Sequence, residues 1–299
     1  MANETAARAA GRLSEKPRVL AAGLAFPEGP LFDGRGGLWC VELKGGGLVR
    51  LAADLSGPAE RFPTGGAPNG LALGSDGRIY FTDSAMNAIR RFDPASGSID
   101  TVVDSCAGQA LDGPNDLAFD REGNLAFTCP GDSRVNPVGY VCLARRGGTC
   151  ARIAEGLNFP NGLAFSADGD ELVVAETYRH RLWRGRWDAR AGKWLEARIW
   201  ADAGGPVGPD GMAFGADGRL YVAVYGKGAV KVFDGDGSLA AAYPTPGANP
   251  TNLAFDPGSR LGLVVTEAER GELLGFSGFG KGAPLFAGVI DKKQGELDG

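Results

Sequence analysis

Short runs of alternating apolar and polar residues, separated by glycine-rich turns, make up most of this chain. A period of two residues is typical of strands that bury one face. Residues 71–73 and 79–82, for example, flank the turn Ser75-Asp76-Gly77-Arg78, and this arrangement predicts a hairpin because Asp-Gly accommodates positive φ in a tight turn. The same turn signal recurs five more times, so the pattern indicates a protein built from short antiparallel strands.

One longer pattern repeats six times along the chain: a proline, a polar residue, a small residue, and then an alternating apolar run. The polar position is occupied in turn by Glu28, Asn69, Asn115, Asn161, Asp210 and Thr251, at intervals of 41, 46, 46, 49 and 41 residues. A period of this length is typical of a four-stranded propeller blade. The sequence therefore predicts an all-β, six-bladed β-propeller with four antiparallel strands per blade.

A second repeat predicts how the ring of blades closes. Residues 19–26 (VLAAGLAF) are similar to residues 152–159 (RIAEGLNF), which precede the fourth copy of the motif. In the middle of the chain such a stretch is the outer strand of the preceding blade. We therefore expect the N-terminal strand to be the outer strand of the last blade. This gives one propeller over residues 17–290, an N-terminal tail over 1–16 and a polar C-terminal tail over 291–299.

Composition narrows the range of partners and chemistries. The net charge of −5 and the pI near 5.1 argue against nucleic acid or an anionic membrane as a partner. Five cysteines without CxxC spacing predict reduced thiols in a cytoplasmic protein, with Cys142 and Cys150 able to face each other across a hairpin. The single histidine, His180, excludes histidine-rich zinc and iron sites.

The six polar positions of the repeat point to a metal ion. Equivalent positions of the inner strands surround the axis of a propeller, and buried polar groups there are costly unless they have partners. Two carboxylates, from Glu28 and Asp210, and three amides would form an oxygen-rich cage, and Ca²⁺ takes six to eight such ligands. The sequence predicts one divalent cation at this end of the axis, calcium in the first place, with Mg²⁺, Mn²⁺ and Zn²⁺ also compatible.

Several further residues are predicted to contact a substrate at the same end. The connections between the second and third strands of each blade return to this face, and the longest of them contains Arg134. Tyr178 and His180 lie in the fourth such connection. Together with Asn69 and Asn115 on the ring, these three residues are the candidate substrate contacts.

Several of these motifs resemble those of the SMP-30/gluconolactonase/luciferin-regenerating-enzyme family. The resemblance extends from about Arg18 to Phe276. It is carried by Glu28-Gly29-Pro30, Pro114-Asn115-Asp116, Pro160-Asn161-Gly162, Ala175-Glu176-Thr177, Pro209-Asp210-Gly211, Leu220–Gly228 (LYVAVYGKG) and Val265-Thr266-Glu267. Residues 115–125 are also similar to the diisopropyl-fluorophosphatase and drug-responsive lactonase branches.

The resemblance implies a six-bladed propeller that hydrolyses a lactone or related ester around one divalent cation. The implied metal ligands are Glu28, Asn161 and Asp210, with Asn115 as a fourth ligand or a substrate contact. The cation would polarise the ester carbonyl. Asp210 or Glu28 would then be the catalytic base that activates water, and direct attack by the Asp210 carboxylate is the alternative.

Two positions depart from the family pattern. Gly113 stands where animal sugar-lactonases have an arginine that holds sugar hydroxyls, which argues against a gluconolactone-like substrate. Ala268 stands where the phosphatase branch has a histidine at a second calcium ion, so that site is not expected.

Two other functions remain open from the sequence. One is hydrolysis of a phosphotriester or fluorophosphate at the same cation. The other is a non-catalytic propeller that binds a ligand or a protein, although Trp187-Asp188 is the only Trp-Asp pair and does not recur as in WD40 repeats. For the enzyme we expect a small-molecule lactone or ester substrate and a monomer or weak homodimer.

Overall fold

A computed structural model describes residues 16–291 of the chain, in which six four-stranded antiparallel sheets form a β-propeller. Each of the first five blades is formed by consecutive strands, from the axis outward. The strands of blades 1 and 2 are β2 (Pro27–Phe32), β3 (Gly37–Glu42), β4 (Gly47–Ala52), β5 (Glu60–Pro63), β6 (Pro68–Leu73), β7 (Ile79–Asp83), β8 (Ala88–Phe92) and β9 (Ile99–Val103). Blade 3 contains β12 (Leu117–Phe119), β13 (Leu125–Cys129), β14 (Gly139–Ala144) and β15 (Cys150–Leu157).

The second half of the chain continues the same order. The strands of blades 4 and 5 are β16 (Pro160–Phe165), β17 (Glu171–Glu176), β18 (Arg181–Asp188), β19 (Lys193–Asp202), β20 (Gly208–Phe214), β21 (Leu220–Tyr225), β22 (Ala229–Phe233) and β23 (Leu239–Pro244). Blade 6 contains β24 (Pro250–Phe255), β25 (Leu263–Glu267), β26 (Glu272–Phe276) and β1 (Arg18–Ala21). A small hairpin of β10 (Ser105–Cys106) and β11 (Gln109–Ala110) lies in the connection between blades 2 and 3, and a 3-10 turn spans Thr177–Arg179.

The predicted closure of the ring by an N-terminal outer strand is confirmed. β1 pairs antiparallel with β26, with Arg18 opposite Gly275 and Val19 opposite Leu274. This pairing joins the first strand of the described chain to its last, so blade 6 is assembled from both ends. The predicted tails over 1–16 and 291–299 fall almost wholly outside the described residues.

The core lies between neighbouring blades because each sheet buries both of its faces. Between blades 1 and 2, for example, the rings of Trp39, Phe62 and Phe92 pack in tilted and edge-on arrangements with centroids 5.0–5.9 Å apart. Between blades 3 and 4, Trp187 packs against Phe165 in the same way. Each blade thus depends on its neighbours for burial, and the ring is stabilised as a whole.

The predicted Asp-Gly type turns lie at one face of the propeller, but their backbone angles differ from the prediction in two ways. In five of them only the glycine has positive φ, as at Gly77 with φ of +79°. In four of these five turns the aspartate before the glycine instead accepts backbone N–H groups of its own turn, as Asp33 does from Arg35 and Gly37. In the sixth turn the left-handed residue is Ser259, with φ of +57°, and not Gly258.

A C-terminal strap, residues 277–291, crosses this turn face, and the sequence pattern did not predict it. The Ala283 N–H donates to the carbonyl oxygen of Phe214 in blade 5, and Phe286 forms a β-bridge with Phe119 in blade 3. The Ile290 N–H donates to the Tyr80 hydroxyl in blade 2 at 3.2 Å. The strap therefore covers one end of the axis. In the part of the chain that the structure describes, no helix has the length and hydrophobicity needed to span a membrane.

The side chains of β1 allow a test of how much the closure contributes to stability. Leu20 packs into the apolar cluster between blades 6 and 1, whereas the neighbouring Val19 is 47% exposed. We expect Leu20→Ala to lower the free energy of unfolding by about 1–2 kcal/mol and Val19→Ala to change it by less than about 0.5 kcal/mol. Urea unfolding of both variants measures the difference, and equal losses would contradict a packed closure.

Candidate functional site

The polar positions of the six repeats converge at the end of the axis opposite the C-terminal strap. Five of these residues lie within the first three positions of the inner strands and are buried: Glu28, Asn69, Asn161, Asp210 and Thr251. Asn115 is half-buried and lies just ahead of β12. We call these six residues the axial ring. In five of the inner strands the pairing register shifts at this position, for example between Glu28 and Leu31. Such bulges re-aim side chains, which is how a polar residue comes to face the axis.

Threonines at or just after the ends of second strands tie neighbouring blades together around the axial ring. The Thr82 hydroxyl donates to the Asn115 carbonyl oxygen at 2.5 Å, and the Thr177 hydroxyl donates to that of Pro209 at 2.8 Å. Thr251 makes the same kind of contact from the ring itself, donating to the Pro27 carbonyl oxygen at 2.8 Å. The Thr251 hydroxyl is therefore engaged in holding blade 6 to blade 1.

Three buried carboxylates share the axis. Burial, followed by the charges of Asp210 and Asp116, raises the pKa of Glu28 well above its usual range. Burial and the charge of Asp116 likewise raise the pKa of Asp210. Across residues 16–291, no lysine or arginine forms an ion pair with any of the three. The site therefore concentrates negative charge in a buried setting, which is costly without a cation.

Asp116 and Asn252 belong to this site, and the sequence reasoning did not select them. Each follows a ring position, where four other repeats have glycine (Gly29, Gly70, Gly162 and Gly211). Burial raises the pKa of Asp116 to about 6, and an Asn252 hydrogen bond opposes this shift. A comparison of the six copies reveals both residues, because a polar side chain replaces this glycine in the third and sixth copies.

The missing Cβ atoms of two glycines make room for these polar side chains. A Cβ on Gly70 would lie 2.4 Å from the Asp116 carboxylate, and one on Gly211 would lie 2.0 Å from the Asn252 side chain. Below this layer a cavity of about 470 Å³ extends towards the strap, lined largely by apolar inner-strand residues. Asp116 and Asn252 thus form the polar boundary between the axial ring and an apolar channel.

Amide side chains orient the carboxylates of the ring. Asn161 hydrogen-bonds the Asp210 carboxylate, and Asn252 hydrogen-bonds that of Glu28. Glu28 also accepts the Gly29 backbone N–H at 3.2 Å. Asn115 is fixed through its backbone, because its carbonyl oxygen accepts the Gly70 N–H at 2.9 Å. Of the predicted metal ligands, Glu28, Asn161 and Asp210 are thereby brought together, and Asn115 lies beside Asp116.

A second set of carboxylates fixes where the inner strands begin. Glu42, Asp83, Glu176 and Glu267 end the second strands of four blades, and each accepts the backbone N–H of a residue shortly before the motif proline. These contacts are Ala25 to Glu42 (3.1 Å), Ala67 to Asp83 (2.9 Å), Asn158 to Glu176 (2.8 Å) and Asn249 to Glu267 (2.9 Å). We call them the strand clasps. In blades 3 and 5 the equivalent positions are Cys129 and Tyr225.

Aromatic side chains form the rim above the axial ring. Phe159 packs against Tyr178 with ring centroids 5.3 Å apart, and Phe26 stacks on Tyr225 at 6.4 Å. Burial and the charges of Asp210 and Glu28 raise the pKa of Tyr225, so its hydroxyl lies within electrostatic reach of the ring. The predicted contact Tyr178 belongs to this rim.

The remaining predicted substrate contacts lie at different depths. Asn69 is buried on the ring, where its carbonyl oxygen lies against Gly29. Arg134 is exposed and lies over the Phe159 ring at 5.5 Å, which places it at the outer edge of the rim. His180 caps the 3-10 turn with φ of +57°, and its carbonyl oxygen accepts the N–H groups of Ala203 and Gly204. Among the contacts of residues 16–291, none joins Arg134 or His180 to the axial ring.

Comparison with known proteins bears on this site. The model of a family described as SMP-30/Gluconolactonase/LRE-like region matches residues 26–269. A gluconolactonase of Zymomonas mobilis is 30% identical over 222 residues, which are 67% of this chain and 62% of that protein, so less than two thirds of its length is spanned. A diisopropyl-fluorophosphatase of Loligo vulgaris is 28% identical over 274 residues, 81% of this chain and 85% of that protein. The solved structure of a gluconolactonase from Xanthomonas campestris is 28% identical, covers 91% of this chain and 93% of its own, and superposes with a TM-score of 0.79.

The strand clasp of blade 4 provides a prediction about how the ring is supported. Glu176 is 1% exposed and accepts hydrogen bonds from the Asn158 N–H, Arg181 Nε and Trp183 Nε1. Glu176→Ala leaves these donors without their acceptor, so we expect the free energy of unfolding to fall by about 3–5 kcal/mol.

Glu171→Ala is the matched control, because Glu171 lies on the same strand and pairs with Arg184 while its own side chain is 38% exposed. Losing such a pair is expected to cost about 0–1 kcal/mol. Urea unfolding compares the two variants, and a loss of similar size in both would show that the clasp is no more than a surface ion pair.

Proposed function

The chain belongs to the SMP-30/gluconolactonase/LRE-like family, and on that premise we propose that it is a divalent-metal-dependent hydrolase that opens a lactone or a related cyclic ester at the axial ring. The observation that carries the proposal is the convergence of the buried Glu28 and Asp210 carboxylates with amide side chains and without a cationic partner among the described residues. Two of the relatives above are named as gluconolactonases, which supports a lactone as the substrate class.

The donor set of the ring fits a hard cation. Glu28 and Asp210 offer carboxylate oxygens, and Asn161 and Asn115 offer amide oxygens, with neither thiol nor imidazole among them. Such oxygen donors suit Ca²⁺, Mg²⁺ and Mn²⁺, and the irregular geometry of a ring drawn from different blades suits Ca²⁺ best. We therefore propose calcium as the physiological ion, held by these four residues.

Each residue of the site would have its own role in the reaction. A bound divalent ion would polarise the ester carbonyl and stabilise the charge that develops on its oxygen, an effect of several kcal/mol. Asp210 would take the proton from the attacking water, because a carboxylate that holds the ion through one oxygen keeps the other available as a base. Glu28 is the other candidate base, and direct attack by Asp210 on the carbonyl carbon is the alternative course. Asn252 and Asp116 would set the orientation and charge of Glu28 from below.

The rim favours an apolar or aromatic portion of the substrate. Four aromatic side chains surround the opening, and aromatic side chains supply large apolar contact area to ligand pockets: Phe26, Phe159, Tyr178 and Tyr225. At residue 113 the chain has glycine, with φ of +54°, and so offers no side chain to hold sugar hydroxyls there. We therefore propose that the preferred lactone carries an aryl or alkyl group.

Asp210→Asn separates the chemistry from the fold. It removes the proposed base and one carboxylate of a repelling set, so we expect kcat/KM for a lactone to fall by about 10³-fold while the metal-free protein is at least as heat-stable as the parent. Proton release during hydrolysis and a thermal melt measure the two effects. Asp217→Asn makes the same chemical change in a turn of the same blade at the opposite face, and it should keep full activity.

The same assay tests the metal. Treatment with EDTA should abolish turnover and added Ca²⁺ should restore it, while isothermal titration should show that Asp210→Asn weakens Ca²⁺ binding. Activity that survives both the chelator and the Asp210→Asn substitution would overturn the proposed mechanism. Stoichiometric metal binding without hydrolysis of any ester would favour a non-catalytic binding propeller.

A substrate panel tests the role of the rim. Among an aryl-fused lactone, glucono-1,5-lactone, an aryl ester and a phosphotriester, we expect the aryl-fused lactone to have the highest kcat/KM, by about tenfold or more over the sugar lactone. Tyr178→Ala should raise KM for the aryl lactone and leave that for the sugar lactone nearly unchanged. A preference for the phosphotriester would instead assign this ring to phosphoester chemistry.

A further inference from the structure

Four of the five cysteines meet in the apolar core between blades 2 and 3. Cys106 lies on β10, Cys129 on β13, Cys142 on β14 and Cys150 on β15. Cys106, Cys129 and Cys142 are buried in this core, and the partly buried Cys150 packs against it. The remaining cysteine, Cys40, lies in a different core cluster between blades 1 and 6. The cluster brings together residues from three strands and a connecting hairpin.

Within this cluster the thiols of Cys106 and Cys150 are in direct contact. The Sγ atoms of Cys106 and Cys150 are 2.6 Å apart, while those of Cys106, Cys142 and Cys150 all lie within 4.8 Å of one another. The strand register pairs Cys142 with Arg152 and Cys150 with Ala144, so Cys142 and Cys150 are not the cross-strand partners that the sequence suggested. The nearest partner of Cys150 comes from the hairpin between the blades.

The spacing of these thiols favours a bond between two sulfurs over a shared metal ion. Two thiolates on one tetrahedral zinc ion lie about 3.8 Å apart, because each Zn–S bond is about 2.3 Å long. The sulfur atoms of Cys106 and Cys150 approach more closely than this. We propose that Cys106 and Cys150 are an oxidation site that forms a reversible intramolecular disulfide.

The difference in exposure between the two thiols sets the order of the reaction. Cys150 is half-buried and Cys106 is 1% exposed, so a low-molecular-weight disulfide such as oxidised glutathione reaches Cys150 first. The Cys150 thiolate attacks one sulfur of this oxidant and expels the other as a thiol, which leaves a mixed disulfide. Cys106 then displaces the second thiol. The two protein thiols are oxidised, the oxidant is reduced to two thiols, and these carry away the two protons.

The disulfide would fasten the β10–β11 hairpin to the outer strand of blade 3. The hairpin already touches that strand, since the Ala107 N–H donates to the Cys150 carbonyl oxygen and Arg152 donates to the Gln109 side chain at 2.6 Å. From the hairpin the chain continues to Asp112, whose N–H donates to the Tyr140 hydroxyl, and then to Asn115 on the axial ring. Cys106 therefore lies in the connection between blades 2 and 3 that leads to Asn115 of the axial ring.

A thiol map of the full-length protein tests the proposal. The protein is incubated with oxidised glutathione and then unfolded in iodoacetamide, and its peptides are mapped without reduction. We expect the free thiols to fall from five to three, with residues 106 and 150 in one linked peptide. Because the cross-link spans 44 positions, the melting temperature should rise by about 5–15 °C and return to its starting value in dithiothreitol.

Three variants act as controls. Cys106→Ser and Cys150→Ser should each lose both the linked peptide and the dithiothreitol-dependent shift, whereas Cys40→Ala should keep both. Five free thiols after oxidation would overturn the proposal, as would a cross-link through Cys129 or Cys142. One zinc ion per purified chain, with the clustered thiols protected from iodoacetamide until a chelator is added, would assign the cluster to a metal instead. The peptide map of the unsubstituted chain decides the matter even where a variant does not fold.

Discussion

The mutual repulsion of Glu28, Asp116 and Asp210 at a buried axis is the constraint on which the rest of the structure depends. Carboxylates taken out of water lose their hydration, and the neighbouring negative charges add to that cost. The surroundings offset the cost only in part, with amide groups from Asn161 and Asn252 and with backbone N–H groups. Such a ring favours a positively charged partner. The fold must also be rigid enough to keep the three carboxylates apart.

The rigidity comes from devices that are repeated around the ring. Threonine hydroxyls join successive blades, and the strand clasps fix the chain just before the ring residue in four of the six blades. β1 completes blade 6 as its outer strand and so joins the two ends of the ring. None of these contacts touches the reacting groups, yet together they determine the distances between side chains that come from different blades. This division allows the ring residues to vary while the scaffold remains the same.

The sequence predicted the parts of the molecule that follow a period. The alternation of apolar and polar residues predicted the strands, and the motif repeated six times predicted the blades. The equivalent polar positions of the six copies predicted the axial ring with Glu28, Asn161 and Asp210. Asp116 and Asn252 were missed because only a comparison between copies reveals that they replace glycine. The C-terminal strap has no period and is held by isolated β-bridges and hydrogen bonds to several blades, so its course is decided by tertiary contacts. The cysteine cluster was missed for the same reason, since Cys106 and Cys150 are 44 positions apart.

The closure of the ring by β1 has a consequence for how the protein is made. Glu272, which begins the partner strand, is synthesised 251 residues after Ala21, which ends β1. At usual rates of translation this interval lasts roughly 10–50 s. Throughout that time β1 lacks its partner strand, and blade 1 exposes the face that blade 6 will cover. An unpaired strand edge can pair with another chain, so the unfinished ring is exposed to aggregation until blade 6 is made.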